Sequence, residues 1–186
     1  MDIEHRPGFW NRVSQFLFPQ STRWKRRWLL GIVGLLVSAV LLLGLVWSEE
    51  PAPFSVSDNV ADKLALAGSN PVTGAVMTAT LITVAETMLN KPGGYLSNDV
   101  MPPGLYLDNI PNWEFGVLVQ VRDLVKSMRE SFSRSQSQST EDPDLIISEP
   151  RFSVDSASWL FPATESEYQI AIDRLYSYLG RISDDA

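Results

Sequence analysis

The side chains that can do chemistry in this chain are few. It has no cysteine and a single histidine, His5. Ser-His-Asp and Cys-His catalysis, disulfides, and zinc or copper sites built on imidazole or thiolate are therefore excluded beyond the first few residues. Past residue 47 the inventory is carboxylates, hydroxyls and three lysines, Lys63, Lys91 and Lys126. A pair of carboxylates, one kept protonated by burial, is the machinery of glycoside hydrolysis. Glu86 and Glu114 are the candidates, each on or at the start of an apolar helix. A bland role competes for each: Glu114 falls in a first helical turn, where its charge suits the helix dipole, and Glu86 faces solvent.

A serine activated by lysine is the second option, with Lys63, Lys91 or Lys126 as base. Lys126 and Ser127 are adjacent on a helix and point apart, so no local signature supports it. Glu141, Asp142 and Asp144 offer oxygen ligands for calcium, but without the spacing of a calcium loop; a solvated acidic turn is the simpler reading. Lys91-Pro92-Gly93-Gly94 is not a phosphate-binding loop, since it follows a helix and ends it. No metal site and no cofactor are expected.

The elements that must position these residues begin with an apolar run. Trp28 to Trp47 holds twenty residues without a charge, with Ser38 as the only polar side chain. As a helix it is roughly 30 Å long, the thickness of a bilayer core. Tryptophans mark both ends, and Arg23, Trp24, Lys25, Arg26 and Arg27 close one edge, as expected at a membrane interface. Residues 1–27 carry six basic and two acidic side chains, and residues 48–186 carry nine and twenty. Basic residues stay on the cytoplasmic side of a span, so the acidic part is expected in the periplasm. It is a poor partner for nucleic acid.

A cleaved signal peptide competes with the anchor. Signal h-regions are shorter and end in small residues, whereas this run ends Leu45-Val46-Trp47, which favours retention. Before it, Phe9, Trp10, Val13, Phe16 and Leu17 recur at helical spacing and suit a helix lying in the headgroup layer; a disordered tail is the alternative. Gly34 and Ser38 form a small-xxx-small pair that would let two copies approach as a homodimer.

The rest reads as mainly α, with a linker at 48–57 and a helical domain over 58–186. A short helix is predicted over Asp58–Ala67. Asn70 as N-cap and Pro71 as first helical residue open the next, which ends before Pro92. Residues 95–112, with three prolines, form an ordered loop, and a further helix runs from near Trp113 to about Phe132. Residues 133–144 break the apolar pattern and end in a helix-start or turn signal at Glu141-Asp142-Pro143-Asp144. Phe152 to Phe161 allows one short strand or an irregular segment around Trp159. Thr164 and Glu167 fit a capping box for an amphipathic helix to the end.

The stretches KPGGYLSNDVMPPGLYLDNIPNWEFGVLVQVRDL (91–124) and FSRSQSQSTEDPDL (132–145), the Trp159 segment and Thr164-Glu165-Ser166-Glu167-Tyr168 resemble a bacterial membrane-anchored family, domain of unknown function 2333. The resemblance covers roughly residues 60–180. It implies an inner-membrane, periplasm-facing protein and supplies no activity or site residues. It also implies that a helix continues through Ser133–Thr140 with its break at Pro143. A further implication is that relatives extend beyond Ala186, so the last helix here is expected to expose an apolar face.

The leading expectation is a non-enzymatic scaffold or accessory subunit of an envelope assembly. It would bind an envelope protein through loop 95–113, with Tyr95, Tyr106 and Trp113 as anchors; core packing competes for all three. The alternatives are a carboxylate-dependent envelope hydrolase and a lipid or small-ligand carrier.

Overall fold

A computed structural model describes residues 22–67, 72–132 and 141–184. These residues fall into two units divided between Leu43 and Gly44. Helix α1, Thr22–Trp47, has 26 residues and is about 39 Å long at 1.5 Å per residue. Among the described residues it is the one helix long and apolar enough to cross a membrane. Most of its leucines and valines lie exposed, so the helix is apolar on every side and compatible with association with a membrane. At its basic end the Trp24 and Trp28 rings stack with centroids 6.2 Å apart.

The second unit is a helical domain, and no strand occurs among its described residues. Its helices are α2 (Val56–Ala67), α3 (Ala75–Asn90), α4 (Asn109–Ser127), α5 (Pro143–Phe152) and α6 (Thr164–Asp184). A π-helical turn, Met128–Phe132, extends α4. Helix α3 packs against α2, α4 and α6, and α5 packs against α4 and α6. The buried residues explain the arrangement. Ala75, Ala79, Ile82, Ala85 and Met88 bring a stripe of small and large side chains along α3. Leu118, Val121, Val125 and Met128 repeat at three- and four-residue spacing on α4, as do Tyr168, Ile172, Leu175 and Leu179 on α6.

Local signals set the ends. Asp142 Oδ1 accepts from Asp144 N at 2.9 Å and Leu145 N at 3.2 Å, with Pro143 in the first helical turn. The expected helix start at Glu141–Asp144 is thus used as such. Helix α3 stops at Lys91-Pro92, and the chain reverses through Gly93 at φ 87°. A Cβ there would lie 2.8 Å from the Trp47 ring, so both conformation and space require glycine.

Several expectations change. Helix α3 begins at Ala75, because Gly74 holds φ 92° and cannot lie inside a right-handed helix; Asn70 and Pro71 lie outside the described residues. Helix α4 starts at Asn109, a turn before Trp113, because Pro111 in a first turn has no N–H to lose. The segment after Phe152 is irregular up to Ala163. Thr164 and Glu167 do not form the expected box. The Thr164 hydroxyl donates toward the carbonyls of Asp155 (2.8 Å) and Ser158 (2.6 Å), and Glu167 pairs with Arg151. The N-terminal interfacial helix and the Ser133–Thr140 run lie outside the described residues.

Candidate functional site

The carboxylates singled out by the sequence are both engaged, each by its own lysine. After α3 ends, Lys91 turns inward and its ammonium donates to the Met88 carbonyl (3.1 Å), the Gly94 carbonyl and Glu114. Glu114 is the sixth residue of α4, past the first turn where the sequence placed it. Its Oε1 accepts from Leu96 N at 2.8 Å; its Oε2 accepts from Ser97 N at 2.7 Å and from the Ser97 hydroxyl at 2.5 Å. A hydroxyl, a carboxylate and an ammonium in one row resemble a nucleophile array. Yet the Lys91 and Glu114 side chains are 1% and 0% exposed, and the carboxylate oxygens are filled by four donors. Burial pushes the Lys91 ammonium below the usual lysine range, opposed by Glu114 and Asp99. The row is a clasp that fastens the turn at 91–97 to α4.

Glu86 does not simply face solvent. Its carboxylate meets Lys63 of α2 and accepts from the Tyr176 hydroxyl of α6 at 2.6 Å. Lys63 also donates to Tyr176. Burial works against the Lys63 charge, but hydrogen bonds to Glu86 and Tyr176 outweigh it and hold the ammonium above its ordinary range. This trio ties three helices together. Glu86 and Glu114 are thus held by different lysines, Lys63 and Lys91.

The acidic turn before α5 is likewise paired. Arg181 reaches Asp142 at 2.6 Å and Asp144 at 2.5 Å, and Arg129 reaches Glu141 at 2.8 Å. Among the described residues no group of three or more acidic or histidine side chains is placed to hold a metal. Ser127 donates to the Asp123 carbonyl at 2.9 Å, and Lys126 is exposed.

The three aromatic residues proposed as anchors take different positions. Tyr95 is 4% exposed. Its ring meets Tyr168 edge-on with centroids 5.6 Å apart, and its hydroxyl donates to the Ser156 carbonyl at 3.2 Å. Trp113 is half-buried, in a shallow groove with Val84, Thr87 and the Pro51–Phe54 segment. Tyr106 is 76% exposed, at the end of a 3₁₀ turn, Gly104–Tyr106.

Tyr106 belongs to a larger apolar surface. Asn98 joins two loops, donating to the Ser158 carbonyl at 3.1 Å and to Glu165 at 2.9 Å. The first loop, 99–107, exposes Val100, Met101, Leu105 and Tyr106; the second, 158–162, exposes Trp159, Leu160 and Phe161, the last at 89%. Gly104 is packed so closely on Asp99 that a Cβ would fall 2.7 Å from the Asp99 Cβ, which keeps the first loop folded on itself. Burial and the Glu114 and Glu165 charges raise the Asp99 carboxyl above its usual range.

The last turn of α1, from Gly44 on, belongs to this same unit. A Cβ on Gly44 would lie 3.4 Å from that of Pro103, and the Asn109 amide donates to both the carbonyl and hydroxyl of Ser48 at 2.9 Å. The sequence pointed to the first loop and missed the second as a surface. Its signal was Trp159-Leu160-Phe161, three apolar residues in a row with neither helical nor strand period.

In the described residues, therefore, the chemistry-bearing side chains hold the fold together, and the unspent feature is apolar. No curated protein and no solved structure matches the chain. A family model covers it from residue 20 to residue 186, and on that match the chain belongs to DUF2333, a family described as uncharacterized proteins conserved in bacteria.

Proposed function

We propose that this protein is a single-pass inner-membrane protein with its basic tail in the cytoplasm and its helical domain in the periplasm. There it acts as a non-enzymatic scaffold or accessory subunit of an envelope assembly. The observation that carries the reading is the exposed aromatic and aliphatic surface on loops 99–107 and 158–162, with Phe115 of α4 also exposed. Apolar area of this kind marks contact surfaces. The two ion pairs support the same reading, since Glu86 and Glu114, the strongest acid candidates, are occupied by lysines. The excess of basic residues before the span and of acidic ones after it supports the orientation.

Within this reading Tyr106 and Trp113 are surface anchors and Tyr95 fixes the loop beneath them. A photocrosslinking residue at Phe115, activated in intact cells, is expected to give a discrete adduct with another envelope protein. Absence of any adduct there, together with a monomer free of companions in mild detergent, would overturn the scaffold reading.

A further inference from the structure

Covalent geometry sets the depth of the first loop. Gly44 and Trp47 are three residues apart in one helix, about 4.5 Å along its axis. Pro103 abuts Gly44, Gly93 abuts Trp47, and Asn109 bonds Ser48. Loop 93–109 thus lies level with the last turn of the apolar run. Gly44 to Trp47 close the apolar run and belong to the same unit as the loop; on the anchored reading above, Trp47 marks the boundary between hydrocarbon and headgroups, and the loop packed on it lies at that boundary. Asn98 brings the second loop to the same place through Ser158.

The surface chemistry matches that depth. Met101, Leu105, Tyr106, Trp159, Leu160 and Phe161 are all exposed. Removing such side chains from water is favourable, and Trp and Tyr prefer the headgroup boundary. Charge narrows the partner further: no lysine or arginine occurs from residue 92 to 121 or from 152 to 173. Attraction to anionic lipid, the usual force on surface-bound helices, has nothing to act on here.

We propose that the tips of loops 99–107 and 158–162 dip into the headgroup layer of the leaflet from which the domain emerges. They form a second, apolar membrane contact that holds the domain down on zwitterionic lipid. This rests on the anchored reading above: the loop tips, Tyr106 included, meet lipid, and Trp113 with the exposed Phe115 is left for an envelope protein.

Because the chain has no cysteine, single labels are clean. The full chain is placed in phosphatidylcholine nanodiscs with an environment-sensitive fluorophore at Tyr106→Cys or Phe161→Cys. Ser177→Cys, exposed on α6, and Leu35→Cys, in the span, are the references, the latter read with phosphatidylcholine spin-labelled at the end of its acyl chain because residue 35 lies near the middle of the run. Phosphatidylcholine spin-labelled near the headgroup is expected to quench positions 106 and 161 at least about twofold more than position 177, as for shallow interfacial insertion. Quenching should not depend on added phosphatidylglycerol. Equal, weak quenching at 106, 161 and 177 with a quenched position 35 would overturn the lipid contact; a crosslink from Phe115 would then leave the scaffold standing. Quenching that appears only with phosphatidylglycerol would overturn it too. An unquenched position 35 would remove the anchor and the lipid contact together.

Discussion

Replacing Glu114 by alanine is expected to destabilise the helical domain by about 3–5 kcal/mol, the usual cost of breaking a buried ion pair from one side. The substitution strips the Lys91 ammonium of its carboxylate while that ammonium remains 1% exposed. It also orphans the buried backbone N–H of Leu96 and the half-buried one of Ser97, and an unmet donor away from water costs free energy. Against a total of about 5–15 kcal/mol for a typical domain, such a loss approaches unfolding. The pair Lys91→Met with Glu114→Leu should recover much of it, because removing both charges also removes their desolvation. Denaturant unfolding of the detergent-solubilised chain measures both. A Glu114→Ala variant within about 1 kcal/mol of the parent would contradict the clasp.

Phe152→Ala is expected to cost about 3–5 kcal/mol through the cavity it leaves. The ring is fully buried at the end of α5, 5.7 Å from the Tyr168 ring, and the backbone carbonyl of Phe152 itself accepts from Arg122 Nε at 3.3 Å. It is therefore where α5 locks onto α4 and α6. Ile146→Ala on the exposed side of the same helix should change stability by less than about 0.5 kcal/mol. Thermal unfolding of the two variants side by side gives the contrast, and equal losses would show that α5 is not anchored through Phe152.

These two positions also show what the sequence could and could not reveal. Helices with a clean apolar repeat, such as the stripe Leu118, Val121, Val125 on α4, were legible with their ends uncertain by about a turn. Helix α5 announced its start through Asp142-Pro143 but was not assigned as a helix. It is short, and Pro150 inside it reads as a breaker; the helix nevertheless runs two residues further, to Phe152, without the one bond that a nitrogen at 150 would have donated. The Lys91–Glu114 clasp joins residues 23 apart, and only the reversal at Gly93 and the start of α4 at Asn109 bring them together. Glu114 was marked as a helix-dipole charge because its helix was expected to begin four residues later. The loop surface was half legible: proline-rich 95–112 stood out by composition, whereas 158–162 gained meaning only when Asn98 placed it beside Asp99.

The side of the membrane on which the helical domain lies fixes the compartment of every surface described above. Protease added to the outside of spheroplasts is expected to digest the residues beyond Glu50 and to leave a protected fragment holding α1 and the basic tail. Digestion of the tail with the helical domain protected would reverse the orientation. Protection lost for α1 as well, without detergent, would show that the helix does not span the bilayer at all.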